Sequence, residues 1–396
     1  MKPFCAPSLT IACSLAVALF GAVAAQPPDG TFRDVSRIAA VATALPPYRY
    51  AQAEITDMLA PLITSDPSKQ AVMRRLHEAS KVDTRHLVMP LEQYREAITF
   101  TQSNDRFIGH ATDLAEEATR RALDRAGIRP EEVDLVIFTS VTGVSAPSID
   151  ALLVPRLGLR TDVKRVPMFG LGCVGGAAGI GRLHDYLLGH PDAVAVLVSV
   201  ELCSLTVQRD DDSMANLVAS GLFGDGAAAV VAVGARRAES LEGPDILDSR
   251  SALYPDSGHV LGFTPGTTGF RIILTGGVAD VVDAHFPRDV VEFLGDNGLD
   301  LSAVSQFFAH PGGPRVLESF ARALEVSDSA LEASWRSMAA VGNLSSSSVL
   351  HVLAEALERG GQQPGDSGLL FALGPGLSAE LVLLRWPEMA AGKVAA

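Results

Sequence analysis

Three short stretches, residues 134–139 (DLVIFT), 194–200 (VAVLVSV) and 227–233 (AAAVVAV), are apolar almost without a break. A strand with one face in water alternates apolar and polar residues, whereas a strand covered on both faces has no need to. These runs therefore predict strands sandwiched between helices. Residues 111–126, 149–157 and 174–188 carry small or apolar residues at helical spacing, the first stopped by Gly127. Strand alternating with helix predicts a layered α/β fold.

Folded sequence begins with the apolar run 37–42, which ends at Pro46-Pro47. A polar helical region carrying Arg74, Arg75 and Lys81 follows. After about residue 245 the pattern restarts with irregular loops, a strand near 270–274, a helix over 278–295, a strand at 306–309 and a helix over 314–324. Two apolar runs, 367–373 and 379–386, then bend around Gly374-Pro375-Gly376. A chain of 396 residues accommodates two such halves. The expected division is an extension over 1–35, one half over 36–245 and a second over 246–396, related by pseudo-duplication.

With 47% apolar and 20% charged residues, the chain can fill a large core. A net charge of −14 and the lack of any basic run exclude a nucleic-acid partner. Cys5, Cys13, Cys173 and Cys203 show no CxxC or CxxH spacing, so neither a disulfide framework nor a metal site is expected. The body reads as a reduced, cytoplasmic enzyme. Its first 35 residues allow two readings. Lys2, the apolar stretch 9–24 and the exit Ala22-Val23-Ala24 match a secretory signal, for which the product would be exported or membrane-associated. Alternatively, the segment is an upstream extension without a fold of its own. Membrane contact is expected through this segment alone.

Cys173 lies in Phe169-Gly170-Leu171-Gly172-Cys173-Val174-Gly175-Gly176. That order predicts a sharp turn with the thiol at a helix N-terminus, where free N–H groups and the helix dipole lower a thiol pKa. His310 follows the apolar residues 307–309 and precedes Pro311-Gly312-Gly313-Pro314, a turn rather than a packed helix. Asn343 stands in Gly342-Asn343-Leu344-Ser345-Ser346, a capping or turn position. Singly, each has an ordinary structural explanation. Together they supply what a decarboxylative condensation needs: a thiolate to carry an acyl chain, an imidazole to pair with it, and two donors for the oxyanion formed as CO₂ leaves. No proton need be taken from carbon.

The segments around Cys173, His310 and Asn343, with Leu222-Phe223-Gly224-Asp225-Gly226, resemble in order the signatures of type III polyketide synthases, the chalcone synthase family. The resemblance runs from about Arg37 to Trp386. It implies a thiolase-like fold, α-β-α-β-α in layers, and a homodimer working on acyl-CoA and malonyl-CoA with no cofactor. Carried over, Cys173, His310 and Asn343 match the family's triad, and Phe223 and Phe270 its two gatekeepers. Arg75, with Arg74 and Lys81 beside it, matches a CoA-phosphate contact. Gly374, Pro375 and Gly376 match the loop that shapes the cyclisation pocket, although Ala372-Leu373 replaces that loop's usual first two residues.

Val141, Ala146, Cys203 and Thr206 fall at positions resembling the family's cavity lining. Small, apolar side chains there suit an aliphatic chain. The expected starter is a medium- or long-chain fatty acyl-CoA, extended with malonyl-CoA and closed to an alkyl-α-pyrone or an alkylresorcinol. A ketoacyl-carrier-protein synthase, which uses the same three residue types, is the alternative enzyme.

Overall fold

The computed structural model describes residues 35–96 and 98–388; all but the last residue of the signal-like segment lies outside them. Nine strands form one mixed sheet. Their spatial order is Gln306–Ala309, Ser367–Gly374, Ser378–Arg385, Asp245–Leu253, Ser36–Ala44, Asp225–Gly234, Val194–Leu202, Leu135–Thr139 and Lys164–Met168. Leu135–Thr139 runs parallel to both neighbours, and Gln306–Ala309 runs parallel to Ser367–Gly374. The other neighbours are antiparallel.

The sheet has two wings that meet at a narrow join. Ser36–Ala44 pairs with Asp245–Leu253 through only Ser36–Ile246 and Arg37–Asp245, reinforced by an Arg37 Nε–Asp245 Oδ1 ion pair of 2.7 Å. Helices Phe100–Ala126 and Ile149–Leu157 cover the outer face of the first wing, and Gly277–Asp296 and Pro314–Ala323 that of the second. Helices Gly175–Leu188 and Ser348–Arg359 share a core with strands of both wings. The result is the expected α-β-α-β-α layering.

The side-chain pattern of the central strands explains their composition. In Val194–Leu202, Val196, Val198 and Val200 enter the outer core while Ala195 and Leu197 enter the middle one. Every position of that strand is buried. The continuous apolar run is therefore two faces read alternately.

Two strands carry no such signal. Lys164–Met168 is an exposed edge, and Asp245–Leu253 is only half covered, so polar residues are tolerated in both. The latter occupies part of what reads from sequence as irregular loop. The helix expected over 111–126 begins at Phe100, started by a capping box in which Thr99 and Gln102 satisfy each other's backbone N–H groups. Among the described residues no helix is long and apolar enough to cross a membrane.

Packing between the central helix and the second half is at its tightest at Gly176. A Cβ there would lie 2.2 Å from the backbone oxygen of Ser346. Gly176→Ala is expected to cost about 2 kcal/mol or more in chemical unfolding, as overpacking against backbone does. A change within error would mean that the two segments separate freely.

Candidate active site

The chain leaves strand Lys164–Met168, passes through a 3₁₀ turn at Gly172–Val174 and enters helix Gly175–Leu188. Cys173 sits in that turn, buried just ahead of the helix. Gly172 has φ +55°, and a Cβ on it would meet the Pro375 ring at 2.6 Å. A Cβ on Gly374 would come within 2.9 Å of Leu171 O and Val174 N. The Gly374-Pro375-Gly376 loop is thus pressed directly onto the Cys173 turn.

Asn343 reaches the same place from the second half. Its backbone brackets Phe223: Asn343 N–H donates to Leu222 O at 2.8 Å, and Gly224 N–H donates to Asn343 O at 3.0 Å. Its side-chain oxygen accepts from Ser345 N–H at 2.8 Å, an Asx-type turn that presents the amide. The amide nitrogen reaches Gly312 O at 3.3 Å. Gly312 belongs to the turn of His310, whose backbone is held by Phe371 O at 2.9 Å. Ser345, at φ +48°, places its hydroxyl 3.6 Å from Cys173 Sγ. A linked series of contacts therefore runs from His310 through Asn343 and Ser345 to the thiol.

Burial governs the electrostatics. It pushes the Cys173 thiol up to about 12, the Ser345 hydroxyl opposing the shift and the Glu201 carboxylate adding to it. It pulls His310 down to about 3. The lowered thiol pKa expected from a helix N-terminus is overridden by burial, the largest influence on the thiol. Each ion is unstable alone, whereas proton transfer from thiol to imidazole creates opposite charges that compensate each other. Neither ring nitrogen of His310 has a partner among the described residues, so the ring is unspent. A donor held ready in a dry site is what a developing oxyanion requires.

A cavity opens beside this cluster, with Ser345 at its wall. Phe223, Phe270, Cys203 and Thr206 line it as expected. The Phe270 ring packs edge-on against Phe100 at 5.4 Å. Val141 is buried and gives its backbone N–H to Glu201 at 3.1 Å, and its neighbour Thr142 lines the cavity. Ala146 lies in an exposed loop, carried to the surface by the turn after Thr142. Arg74 and Arg75 are exposed on helix Pro67–Glu78, with Lys81 just beyond it; Arg74 is paired with Asp57. That helix is tied to the cavity wall by buried His77, which bonds Leu217 O at 3.2 Å.

Several contributors were not singled out from sequence. Tyr94, Gln208 and Arg85 line the cavity from distant segments. Glu201, fully buried, accepts from Val141 N–H, Thr142 Oγ1 at 2.8 Å and Ser346 Oγ. An acid inside an otherwise apolar strand run was the available signal.

Fold and site define a condensing enzyme of the thiolase-like class. The family of chalcone and stilbene synthases matches with its N-terminal domain over residues 31–236 and its C-terminal domain over 246–387. The chain belongs to that family and is a type III polyketide synthase, an acyltransferase acting on CoA thioesters. It is 54% identical over 350 residues to the 1,3,6,8-tetrahydroxynaphthalene synthase of Streptomyces peucetius subsp. caesius, covering 88% of this chain and 93% of that protein. It is 31% identical over 370 residues to the alpha-pyrone synthesis polyketide synthase-like Pks18 of Mycobacterium tuberculosis, covering 91% and 93%. The crystal structure of 1,3,6,8-tetrahydroxynaphthalene synthase from Streptomyces coelicolor A3(2) superposes with a TM-score of 0.84 at 31% identity, covering 89% of this chain and 99% of that one.

His310→Gln removes the imidazole while leaving the thiol buried. Alkylation of Cys173 by iodoacetamide is expected to level off near neutral pH in the parent protein. In the variant it should climb about tenfold per pH unit through about pH 10, as a lone thiol of raised pKa does. Superimposable pH–rate curves would remove His310 from thiol activation.

Proposed function

We propose that the protein builds 1,3,6,8-tetrahydroxynaphthalene from malonyl-CoA alone, used as both starter and extender. The 54% identity to a synthase of that name over most of both chains carries the proposal. The carbon count of the product explains why one substrate suffices. Ten ring carbons with oxygen at alternate positions correspond to five two-carbon units, leaving none for a fatty or aromatic starter. Closure needs one aldol condensation with loss of water and one Claisen closure that releases the thioester.

In this reading Cys173 loses its proton to His310 and attacks the starter malonyl thioester, expelling CoA; the starter's own carboxylate also leaves as CO₂ before the rings are complete, so that it too contributes two carbons. A second malonyl-CoA then loses CO₂, and its enolate oxygen is held by the His310 ring N–H and the Asn343 amide. The enolate carbon attacks the Cys173 thioester, the lengthened chain leaves on CoA, and it returns to Cys173 for the next round. Arg74, Arg75 and Lys81 meet the CoA phosphates, and the CoA thioesters locate the reaction in the cytoplasm. Decarboxylation supplies the carbanion, so the condensation itself calls for no cofactor. The exposed edge Lys164–Met168, with exposed Val144, Val166 and Phe169 near it, supports a homodimer.

The cavity supports a carbonyl-rich chain in one further respect. Arg85 lines it, is 2% exposed, and has Nε and Nη2 without partners among the described residues. Burial lowers its pKa only to about 10, so it remains a cation at neutral pH. A poly-β-ketone offers such donors an acceptor at every second carbon; a hydrocarbon offers none. The fatty acyl starter, with alkyl-α-pyrone or alkylresorcinol as product, draws its support from the 31% identical α-pyrone protein and from small Cys203 and Thr206.

The test is incubation of the enzyme with uniformly carbon-13-labelled malonyl-CoA, alone and beside unlabelled acyl-CoAs. The expected product is tetrahydroxynaphthalene carrying label at all ten carbons in both cases, and Cys173→Ala should abolish it. A product that retains an unlabelled alkyl group, with no naphthalene in either incubation, would sink the malonyl-only reading.

A further inference from the structure

A second pocket, partly open to solvent, lies against the first. Leu59, Tyr94, Ser204 and Val207 border both. Beyond them, Leu62, Met89, Ile98 and Leu205 give the second pocket an aliphatic side, while Gln93, Glu96 and Arg209 add polar groups, the first two exposed to solvent. Of the four shared residues, Leu59 is part of the core of helix Gln52–Ile63, and Ser204 and Val207 are small. Tyr94 is the bulk of the partition.

The tyrosine is fixed at both ends. Its hydroxyl bonds Ser204 Oγ at 2.6 Å, and Ser204 Oγ in turn donates to buried Asp225 Oδ2 at 2.5 Å. Asp225 is itself held by Ser204 N–H at 2.8 Å and Val88 N–H at 2.9 Å. At the backbone, Arg209 donates to Tyr94 O and Arg95 O, each at 3.0 Å. A phenol anchored through a buried carboxylate has little freedom to swing aside, so the partition is rigid.

We infer that Tyr94 is a specificity-determining residue: a removable wall that ends the reaction cavity, holds the acyl chain to short, oxygenated lengths and closes off a ready-made aliphatic subsite. The inference rests on the malonyl-primed reading, and it assigns the exclusion of fatty starters to a single side chain. Removing the ring joins the apolar side of that pocket to the end of the cavity, where each additional methylene buried tightens binding by about fourfold. The ring does this rather than the hydroxyl, because the space is blocked by volume.

The test compares the parent enzyme with Tyr94→Phe, Tyr94→Leu and Tyr94→Ala. Each is given malonyl-CoA alone, or malonyl-CoA with one member of a series from hexanoyl-CoA to palmitoyl-CoA. Products are identified by mass, and folding is checked by thermal unfolding and by acylation of Cys173. Tyr94→Phe should keep the parent's chain-length limit. Tyr94→Ala and Tyr94→Leu should raise the rate of alkylpyrone formation from the longer starters by about tenfold or more, a factor within reach of a changed apolar pocket. Adding Leu62→Trp to Tyr94→Ala refills the chamber and should abolish that gain. The inference is overturned if folded Tyr94→Ala or Tyr94→Leu shows no gain, if Tyr94→Phe gains equally, or if the gain survives Leu62→Trp. Incubations of the parent with malonyl-CoA alone judge the malonyl-primed reading separately. Should the parent use long starters as well as the variants do, the wall fails whatever those incubations give.

Discussion

The arrangement depends on backbone meeting backbone around one thiol. Three segments converge there: the turn of Cys173, the Asn343–Ser348 stretch and the Gly374-Pro375-Gly376 loop. A Cβ on Gly175 would lie 2.6 Å from Thr139 Oγ1, and one on Gly176 would strike Ser346 O. Gly172 and Gly374 make the equivalent approach to the third segment. Cys173 belongs to the first half of the chain, and His310, Asn343 and Ser345 belong to the second. They share one small volume only because no side chains stand between their main chains. The central helices Gly175–Leu188 and Ser348–Arg359 follow from the same requirement, since both begin at this contact and carry it into the common core.

Convergence of this kind leaves polar groups in a dry place, and Glu201 shows how they are held. It sits at the end of a strand that is otherwise apolar and binds groups on both sides of the contact: Ser140, Val141 and Thr142 from the first half, Ser346 from the second. Burial raises its pKa while these hydrogen bonds oppose the shift. Its field also raises the thiol pKa, an effect unfavourable to a thiolate. Its position is best understood as fixing the two loops.

What could be read from the sequence follows from how local each signal is. Strands buried on two faces declare themselves within seven residues, as 194–200 does. The edge strand Lys164–Met168 and the half-covered Asp245–Leu253 could not, since their neighbours supply what their composition lacks. Cys173, His310 and Asn343 were legible because each stands at a turn whose glycines and prolines are written beside it. The cavity was not. Tyr94 comes from a 3₁₀ turn without apolar periodicity, Arg85 from a short strand and Gln208 from a loop, and only the folded chain brings them together. Ala146 illustrates the converse: a position beside a lining residue in sequence that the next turn carries to the surface.

Substrate choice then becomes a contest between volume and hydrogen bonding. Thr142, Thr206 and Ser204 already give their hydroxyl protons to Glu201, Cys203 O and Asp225, so a hydrocarbon beside them strands no donor. Arg85 is different, because Nε and Nη2 are buried without a partner among the described residues, and a buried donor left unsatisfied costs about 1–3 kcal/mol. Burying a methylene returns only about 0.8 kcal/mol. A fatty chain would need several methylenes in good contact to offset that loss, and the chamber able to provide them lies behind Tyr94. An oxygenated chain offers a guanidinium acceptors without needing the extra room. Under the malonyl-primed reading proposed above, the unsatisfied cation and the wall would act in the same direction.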